Sequence, residues 1–401
     1  MPSLVLNRVE RRRYLDSVAL MRLSRRLAAL PGIQDAALMI GSPSNKALLR
    51  DAGLLASEGE EADASDLVIA VRAADERAGR AALDSALTLL TQKDDSQTPD
   101  FPHVKTLRGA LETLPQANLA LISVPGDYAA HEARKALDAG LHTLVFSSGV
   151  PLEEERALKR LALDRGLLLM GPDCGTALIA GTPIAFANAV PRGDIGIVSA
   201  SGTGLQEVSC LIARMGVGVS HGIGVGGRDL DEHVGALGTL AAIDALERDP
   251  GTKTIVLISK PPAPQVAEKV LQRLAGCAKP AVVCFLGLER SGLALTLLEA
   301  AEMATGKKLH QEKAEIASRP RGHLVRGLYC GGTLCSEAEL IFRRLGLKQH
   351  VFVDLGNDQY TRGRPHPMIE PEIRNDHIAR AFSDAKVGAV LVDVVLGYGA
   401  H

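Results

Sequence analysis

Two short segments of this chain follow one plan: an apolar strand, a turn containing Gly-Thr, then a helix. The first is SASGTGLQE (Ser199 to Glu207), after Ile195–Val198; the second is YCGGTLCSE (Tyr329 to Glu337), after Leu324–Leu328. Glycine lets backbone come close to a ligand, and the first turn of a helix presents N–H groups that lack intrahelical partners. With the helix dipole, each turn becomes an anion site, worth ~0.3–1 kcal/mol per charge at an exposed end and ~2 kcal/mol when partly buried. The phosphate-binding candidates are therefore Ser201, Gly202, Thr203 and Gly204 in one segment, and Gly331, Gly332 and Thr333 in the other. Two such turns point to one phosphate held from two sides, and so to phosphoryl or acyl-phosphate chemistry.

The rest of the chain supplies a scaffold of the matching type. Its 401 residues predict two to four domains at ~100–200 residues each. Hydrophobic residues reach 46% while aromatics are 3% and Trp is absent, so the cores are aliphatic. Strands are predicted at 3–9, 33–40 and 66–72 with helices at 14–30, 44–53 and 74–91, making a small α/β domain over 1–95. QKDDSQTPDFP (92–102) has linker composition. Beyond it, strands alternate with helices, which predicts parallel sheets in units over 103–190, 191–304 and 320–401, with a charged linker at 305–322. The last unit ends at His401 just past a strong strand, and so reads as truncated or as an edge that a partner completes.

A net charge of −2 gives no electrostatic case for nucleic acid or an anionic membrane. Arg11–Arg13 open a helix and read as a solvated face. No apolar stretch reaches the ~18 residues of a membrane span, and no charged-then-apolar leader opens the chain. The expected setting is a soluble, cytoplasmic one. Six cysteines, at 174, 210, 277, 284, 330 and 335, lack metal or CxxC spacing and read as buried free thiols; no metal site is expected.

In open parallel sheets, ligands bind beyond the carboxyl ends of strands. The segments there include VPGDY (124–128), GPDCGT (171–176), GIGVGGRDL (222–230), SKPPA (259–263) and DLGNDQYTRGRPHP (354–367). Gly171, Pro172, Asp173 and Cys174, with Gly226, Gly227, Arg228 and Asp229, are substrate-loop candidates. Lys260 follows the strand IVLIS; it is either a lysine snorkelling from a loop or a partner for phosphate or carboxylate. Arg362, Arg364 and His366, at alternate positions after a strand end, suit a small dianion or belong to an exposed loop. His221, on an apolar strand, reads as a satisfied core histidine.

At GPDCGT, GIVSASGTGLQE, GIGVGGRDL and ISKPPA the chain resembles the FdrA family of acyl-CoA synthetase-like proteins, nearly end to end. More distantly it is similar to the α subunit of succinyl-CoA synthetase with a β-subunit-like ligase domain behind it. The resemblance implies a Rossmann-like CoA-binding-type domain at 103–190, then flavodoxin-like ligase domains at 191–304 and 320–401. It also implies partner subunits, an acyl phosphate and a carboxylate as substrates, and CoA as the one cofactor on offer. The departures are specific. After AVVCFLG (281–287), where the synthetases carry a phosphate-accepting histidine, residues 288–305 contain none. At the synthetases' active-site glutamate stands Lys260. MIGSPSNK (39–46) is a degenerate version of their CoA loop.

The resemblance thus implies a subunit of a carbamoyltransferase acting between carbamoyl phosphate and oxamate, in allantoin breakdown. Lys260, Arg362, Arg364 and His366 would be its catalytic groups. An acyl-CoA ligase of succinate–CoA type is the alternative, and a non-catalytic CoA- or phosphate-binding subunit the second alternative.

Overall fold

The computed structural model describes residues 4–13, 15, 17–91, 104–310, 322–361, 367–368 and 373–395. It falls into two compact units. One holds Met1–Ala117 with Ser123–Ala129 and Asp358–Pro365; the other holds Asn118–Ile122, Ala130–Asn357 and His366–His401.

The first unit begins with β1 (Leu4–Glu10), α1 (Ser17–Ala28), β2 (Ile33–Ile40), α2 (Pro43–Asp51), α3 (Ser57–Glu60), β3 (Leu67–Ala73), α4 (Glu76–Thr91) and α5 (Leu107–Thr113). Its sheet has the order β1-β3-β2 and is antiparallel throughout. β3 (LVIAVRA) is central and buried on both faces. Leu67, Ile69 and Val71 pack with Leu20, Leu27, Ala82 and Ala86, while Val68 and Ala70 pack with Leu49 and Leu54. That alternation is the period of two of a strand.

Along the chain then come β4 (Leu119–Ile122), α6 (Gly126–Asp138), β5 (His142–Val145), α7 (Leu152–Asp164), β6 (Leu169–Met170), β7 (Thr176–Ile179) and β8 (Thr182–Ala185). They are followed by β9 (Ile195–Ser199), α8 (Gly202–Arg214), β10 (Val219–Gly224), α9 (Leu237–Arg248), β11 (Thr254–Ser259), α10 (Pro264–Ala275), β12 (Ala281–Phe285) and α11 (Leu297–Thr305). Last are β13 (Leu324–Tyr329), α12 (Gly332–Arg344), β14 (Val351–Asp354), α13 (Asp358–Thr361), α14 (Ile373–Ser383) and β15 (Val387–Val392). The architecture is mixed α/β with several parallel sheets, as the alternation of strands and helices predicts. Three sheets form: β4-β5-β6, β12-β11-β9-β10-β7-β8 and β14-β13-β15.

The centre of the six-stranded sheet is covered on both faces, which explains the continuous aliphatic run of β11. Ile255 and Leu257 of β11 pack with α9 and α10 through Ile243, Leu246, Val266 and Val270. Val256 and Ile258 of the same strand pack with α8 and α11 through Leu205, Val208, Ile212 and Leu297.

One pairing departs from the sequence reading. The segment 176–185, assigned there to the unit over 103–190, forms the antiparallel hairpin β7–β8 and joins the sheet of β9–β12 by pairing with β10. Its two-residue turn, Ala180-Gly181, has φ of 50° and 79°. This is the left-handed conformation that tight hairpins require, where Asn-Gly or Asp-Gly is the usual signal. Ala-Gly hides the turn from a reader of sequence.

The order β10-β9-β11 recurs as β14-β13-β15, parallel in both cases. Ser199 lies opposite Gly224 in one sheet and Tyr329 opposite Asp354 in the other, so the twin segments occupy equivalent places in a structural repeat. Among the described residues, no helix is long and apolar enough to cross a membrane.

A buried ion cluster ties the β4–β6 layer to the six-stranded sheet. Lys159 of α7, 2% exposed, places Nζ 2.6 Å from Asp229 Oδ1, 2.9 Å from Glu155 Oε1 and 2.9 Å from the Val225 carbonyl. Arg228 lies 2.7 Å from Glu155 Oε2 and also donates to the Val150 carbonyl. Asp229 in turn accepts the N–H groups of Gly238 and Thr239 at the start of α9. Removing one member of a buried pair leaves an uncompensated charge, at a cost of ~3–5 kcal/mol. Lys159→Met should therefore lower unfolding stability by about that amount in urea titrations followed by circular dichroism. A loss below ~1 kcal/mol would mean that the cluster is better solvated than its burial implies.

Candidate functional site

The repeat brings the two glycine-threonine turns together. Ser201, at the N-cap of α8, accepts the Gly204 N–H at 3.0 Å and forms a short hydrogen bond with Thr333 Oγ1 of α12. A Cβ at Gly331 would lie 2.9 Å from Thr203 Cγ2. A Cβ at Gly332 would lie 2.7 Å from Lys260 Nζ and 2.5 Å from Asp354 Oδ2. At Gly331 the approach of Thr203 favours glycine, since its φ of −111° is ordinary; at Gly332 a side chain would displace the ends of Lys260 and Asp354. Gly202 adjoins Thr176 of the hairpin, where a Cβ would lie 3.2 Å from Oγ1. Gly331, the N-cap of α12, offers no side-chain cap to the first N–H groups of that helix.

The seven phosphate-binding candidates and Lys260 thus converge, although Ser201 and Thr333 are 132 residues apart. Lys260 is exposed and forms no ion pair among the described residues. Arg362, Arg364 and His366 lie outside the described residues.

The two substrate-loop candidates pack against each other. Gly226 has φ of 88°, and a Cβ there would lie 2.4 Å from the Pro172 carbonyl and 3.2 Å from Gly171 Cα. The Gly171-Pro172 peptide bond is cis. Gly227 is exposed beside the Ala200 carbonyl, next to the α8 turn. Asp173 is exposed, with its N–H on the Ser147 carbonyl. Arg228 and Asp229 face the Lys159 cluster described above. Cys174 is buried and directs Sγ at the carbonyls of Thr176 and Gly224; burial pushes its thiol up to about 12. His221 accepts the Ala180 N–H and lies 3.5 Å from Asp249; burial lowers its pKa, with Asp249 opposing.

The sequence reading missed the acidic side of the site. Asp393 follows β15 and accepts the Cys330 N–H at 2.8 Å and the Gly331 N–H at 2.7 Å. Arg374 Nη1 donates to Asp393 Oδ1 at 3.0 Å. Asp354 stands at the end of β14 beside Gly332. The only cue in the sequence is that an aspartate ends each of two apolar strands.

In the segment flagged as a degenerate CoA loop (39–46), Ser42 is buried and accepts the Asn45 N–H, Gly41 N–H binds the Asp66 carbonyl, and Lys46 Nζ binds the Glu60 carbonyl.

Over 97% of its length the chain aligns at 42% identity with YahF of Escherichia coli K12, an uncharacterized protein of which it spans 83%. The chain belongs to the YahF family. That family is CoA-ligase-like. Residues 328–401 match the CoA-ligase family model, and residues 3–103 match a model described as AllF, heavy metal-associated domain. The latter stretch contains no cysteine, so it offers no thiolate to a heavy metal. The chain is also 30% identical over 174 residues to the α subunit of an ADP-forming succinate–CoA ligase of Aquifex aeolicus, matching 42% of this chain and 55% of that one. It is 27% identical over 228 residues to the α subunit of a malate–CoA ligase of Methylorubrum extorquens, covering 54% and 74% respectively. A solved ATP citrate lyase of Methanothrix soehngenii is similar at 20% identity and a TM-score of 0.40, over 69% of this chain and 41% of that one.

Glu207 of α8 and Glu337 of α12 occupy equivalent places in the repeat. Burial raises the pKa of each; the Leu297 N–H opposes this at Glu337, and repulsion from Glu207 adds to it. A carboxyl raised above its unfolded pKa stabilises the fold when protonated, and that contribution is lost as pH rises through the folded pKa. The double variant E207Q/E337Q should therefore gain Tm relative to the parent, by an increment that grows from pH 4 to pH 7. An increment that shrinks over this range would show that the two carboxylates are stabilising when ionised.

Proposed function

We propose that the chain is a subunit of a CoA-ligase-type enzyme that handles an acyl phosphate. The phosphoryl group would sit between the starts of α8 and α12, with Lys260 as counter-charge. The observation that carries this reading is the convergence on Gly332: a lysine ammonium and two helix N-termini meet beside a residue that has no side chain. Backbone N–H groups and a nearby cation suit the charge that develops on a departing phosphate, and the backbone groups need no rearrangement as it forms. Positioning of the acyl phosphate beside its acceptor supplies the rest of the rate.

The ligase relatives favour acyl transfer to CoA, as in an ADP-forming acyl-CoA ligase. An acceptor nucleophile attacks the acyl carbon, the bond from carbon to the bridging oxygen breaks, and inorganic phosphate leaves into the cradle. This half-reaction needs no histidine. Making the acyl phosphate from a nucleotide would fall to a partner subunit.

A second reading is favoured by Lys260 and by the absence of histidine from residues 288–305. Here carbamoyl phosphate is the acyl phosphate, and the amide nitrogen of oxamate is the acceptor, giving oxalurate and phosphate. It keeps the FdrA resemblance and uses the same cradle, with Arg362, Arg364 and His366 as candidates to hold the carboxylate.

Phosphate release by the complete subunit complex separates the two. Release from succinyl phosphate that requires CoA supports the ligase reading, and release from carbamoyl phosphate that requires oxamate supports the second. In either case Lys260→Ala should lower turnover by ~10²–10³-fold, the usual effect of losing one group that stabilises developing negative charge. Wild-type kinetics in that variant would remove Lys260 from the site.

A further inference from the structure

Each lobe of the repeat must hold the peptide that leads into its helix, and the two lobes do so by different chemistry. In the first, Ser199 Oγ accepts the Ser201 N–H at 3.0 Å and donates to the Ser201 carbonyl at 2.7 Å. The Ala200 N–H goes to the Ile258 carbonyl. In the second lobe the place of Ser199 is taken by Tyr329, whose ring packs with Phe352. Ile258 pairs with Ser199 in the first lobe; in the second the last pair is Leu328 with Val392, so continuing that register brings Asp393, just past β15, to the corresponding place. Both oxygens of this carboxylate accept main-chain N–H groups, those of Cys330 and Gly331.

A carboxylate so placed has an electrostatic consequence. Asp393 is 5% exposed and stands at the threshold of a proposed phosphate site, where its charge repels the ligand. Arg374, in the first turn of α14 and with its side chain 12% exposed, donates to Asp393 Oδ1 at 3.0 Å and to the Asp393 carbonyl at 2.7 Å. It ties the carboxylate down and cancels its charge. The first lobe has no charge at either place and needs no such cation.

We infer that Asp393 and Arg374 are positioning residues of the cradle: Asp393 aims the Gly331–Thr333 backbone, and Arg374 keeps that carboxylate from repelling phosphate. The inference rests on the phosphate reading above. It makes the pair coupled rather than additive: the arginine is needed only because the aspartate is charged.

The test is inorganic phosphate binding to the full chain by isothermal titration calorimetry, for the parent, R374Q, D393N and D393N/R374Q, at low and high salt. R374Q should weaken binding about tenfold at low salt and less at high salt, because an uncancelled charge is screened. D393N/R374Q should recover most of that loss, since Asn still accepts one N–H and carries no charge. A purely structural pair would instead give a double variant no better than R374Q, and that result overturns the inference. Unchanged binding by R374Q overturns it too, while leaving the phosphate reading intact. A parent chain that takes up no phosphate defeats the reading and the inference together.

Discussion

Two helix N-termini face one another at close range, and the electrostatics of that approach govern the second unit. Each end carries the equivalent of about half a positive charge, so like poles are brought together. Nothing apolar can compensate for this. The protein answers with oxygens: the Ser201 and Thr333 hydroxyls bridge the ends, and Asp393 and Asp354 stand at the second helix start. An anion between the helices would answer it more fully, which gives a physical reason to read the gap as a phosphate site. Gly331 and Gly332 permit the approach because a Cβ at either would strike the facing lobe.

The repeat makes the two halves alike in topology and unlike in charge. In the first, the residue opposite Ser199 is Gly224, and Ile258 lines the turn; in the second, the corresponding residues are Asp354 and Asp393. Lys260 comes from the first half and reaches the second at Gly332. The cation is therefore supplied across the interface while both carboxylates are supplied at home. A phosphate held there would meet one half that brings a cation and another that brings two carboxylates with Arg374, so its two sides differ in charge. Such asymmetry suits a site where a leaving group departs in one direction, since a symmetric cradle would hold an anion without orienting it.

Much of this was legible in the sequence because the governing patterns are local. Aliphatic runs marked β9, β11 and β12 to within a residue or two, since strands buried on both faces are largely apolar. The Gly-Thr turns marked both helix starts, because capping and close approach are written in adjacent residues. What stayed hidden depends on distance along the chain. Lys159 meets Asp229 across 70 positions, and Asp393 meets Gly331 across 62. No spacing rule links an aspartate at a strand end to an amide five elements earlier. The β7–β8 hairpin was missed for a different reason: its left-handed turn is occupied by Ala180, a residue that does not advertise it.

The cysteines bear on which chemistry the cradle can support. Cys330 and Cys335 flank the second turn, and Cys174 sits in the loop that packs against Gly226, so a thiolate relay is the natural substitute for a missing histidine. Burial argues against it. It pushes all three thiols up to about 12, with nearby carboxylates adding to the effect: Asp393 at Cys330, Asp354 at Cys335 and Asp173 at Cys174. A thiol in such surroundings is protonated at neutral pH and is a poor nucleophile. The same carboxylates that steady the second helix start thus suppress the reactivity of the thiols beside it. With no histidine in 288–305 and protonated thiols at the turns, the candidates among the described residues are backbone N–H groups, the hydroxyls of Ser201, Thr203 and Thr333, and Lys260. Groups of this kind stabilise a leaving phosphate without forming a bond to it.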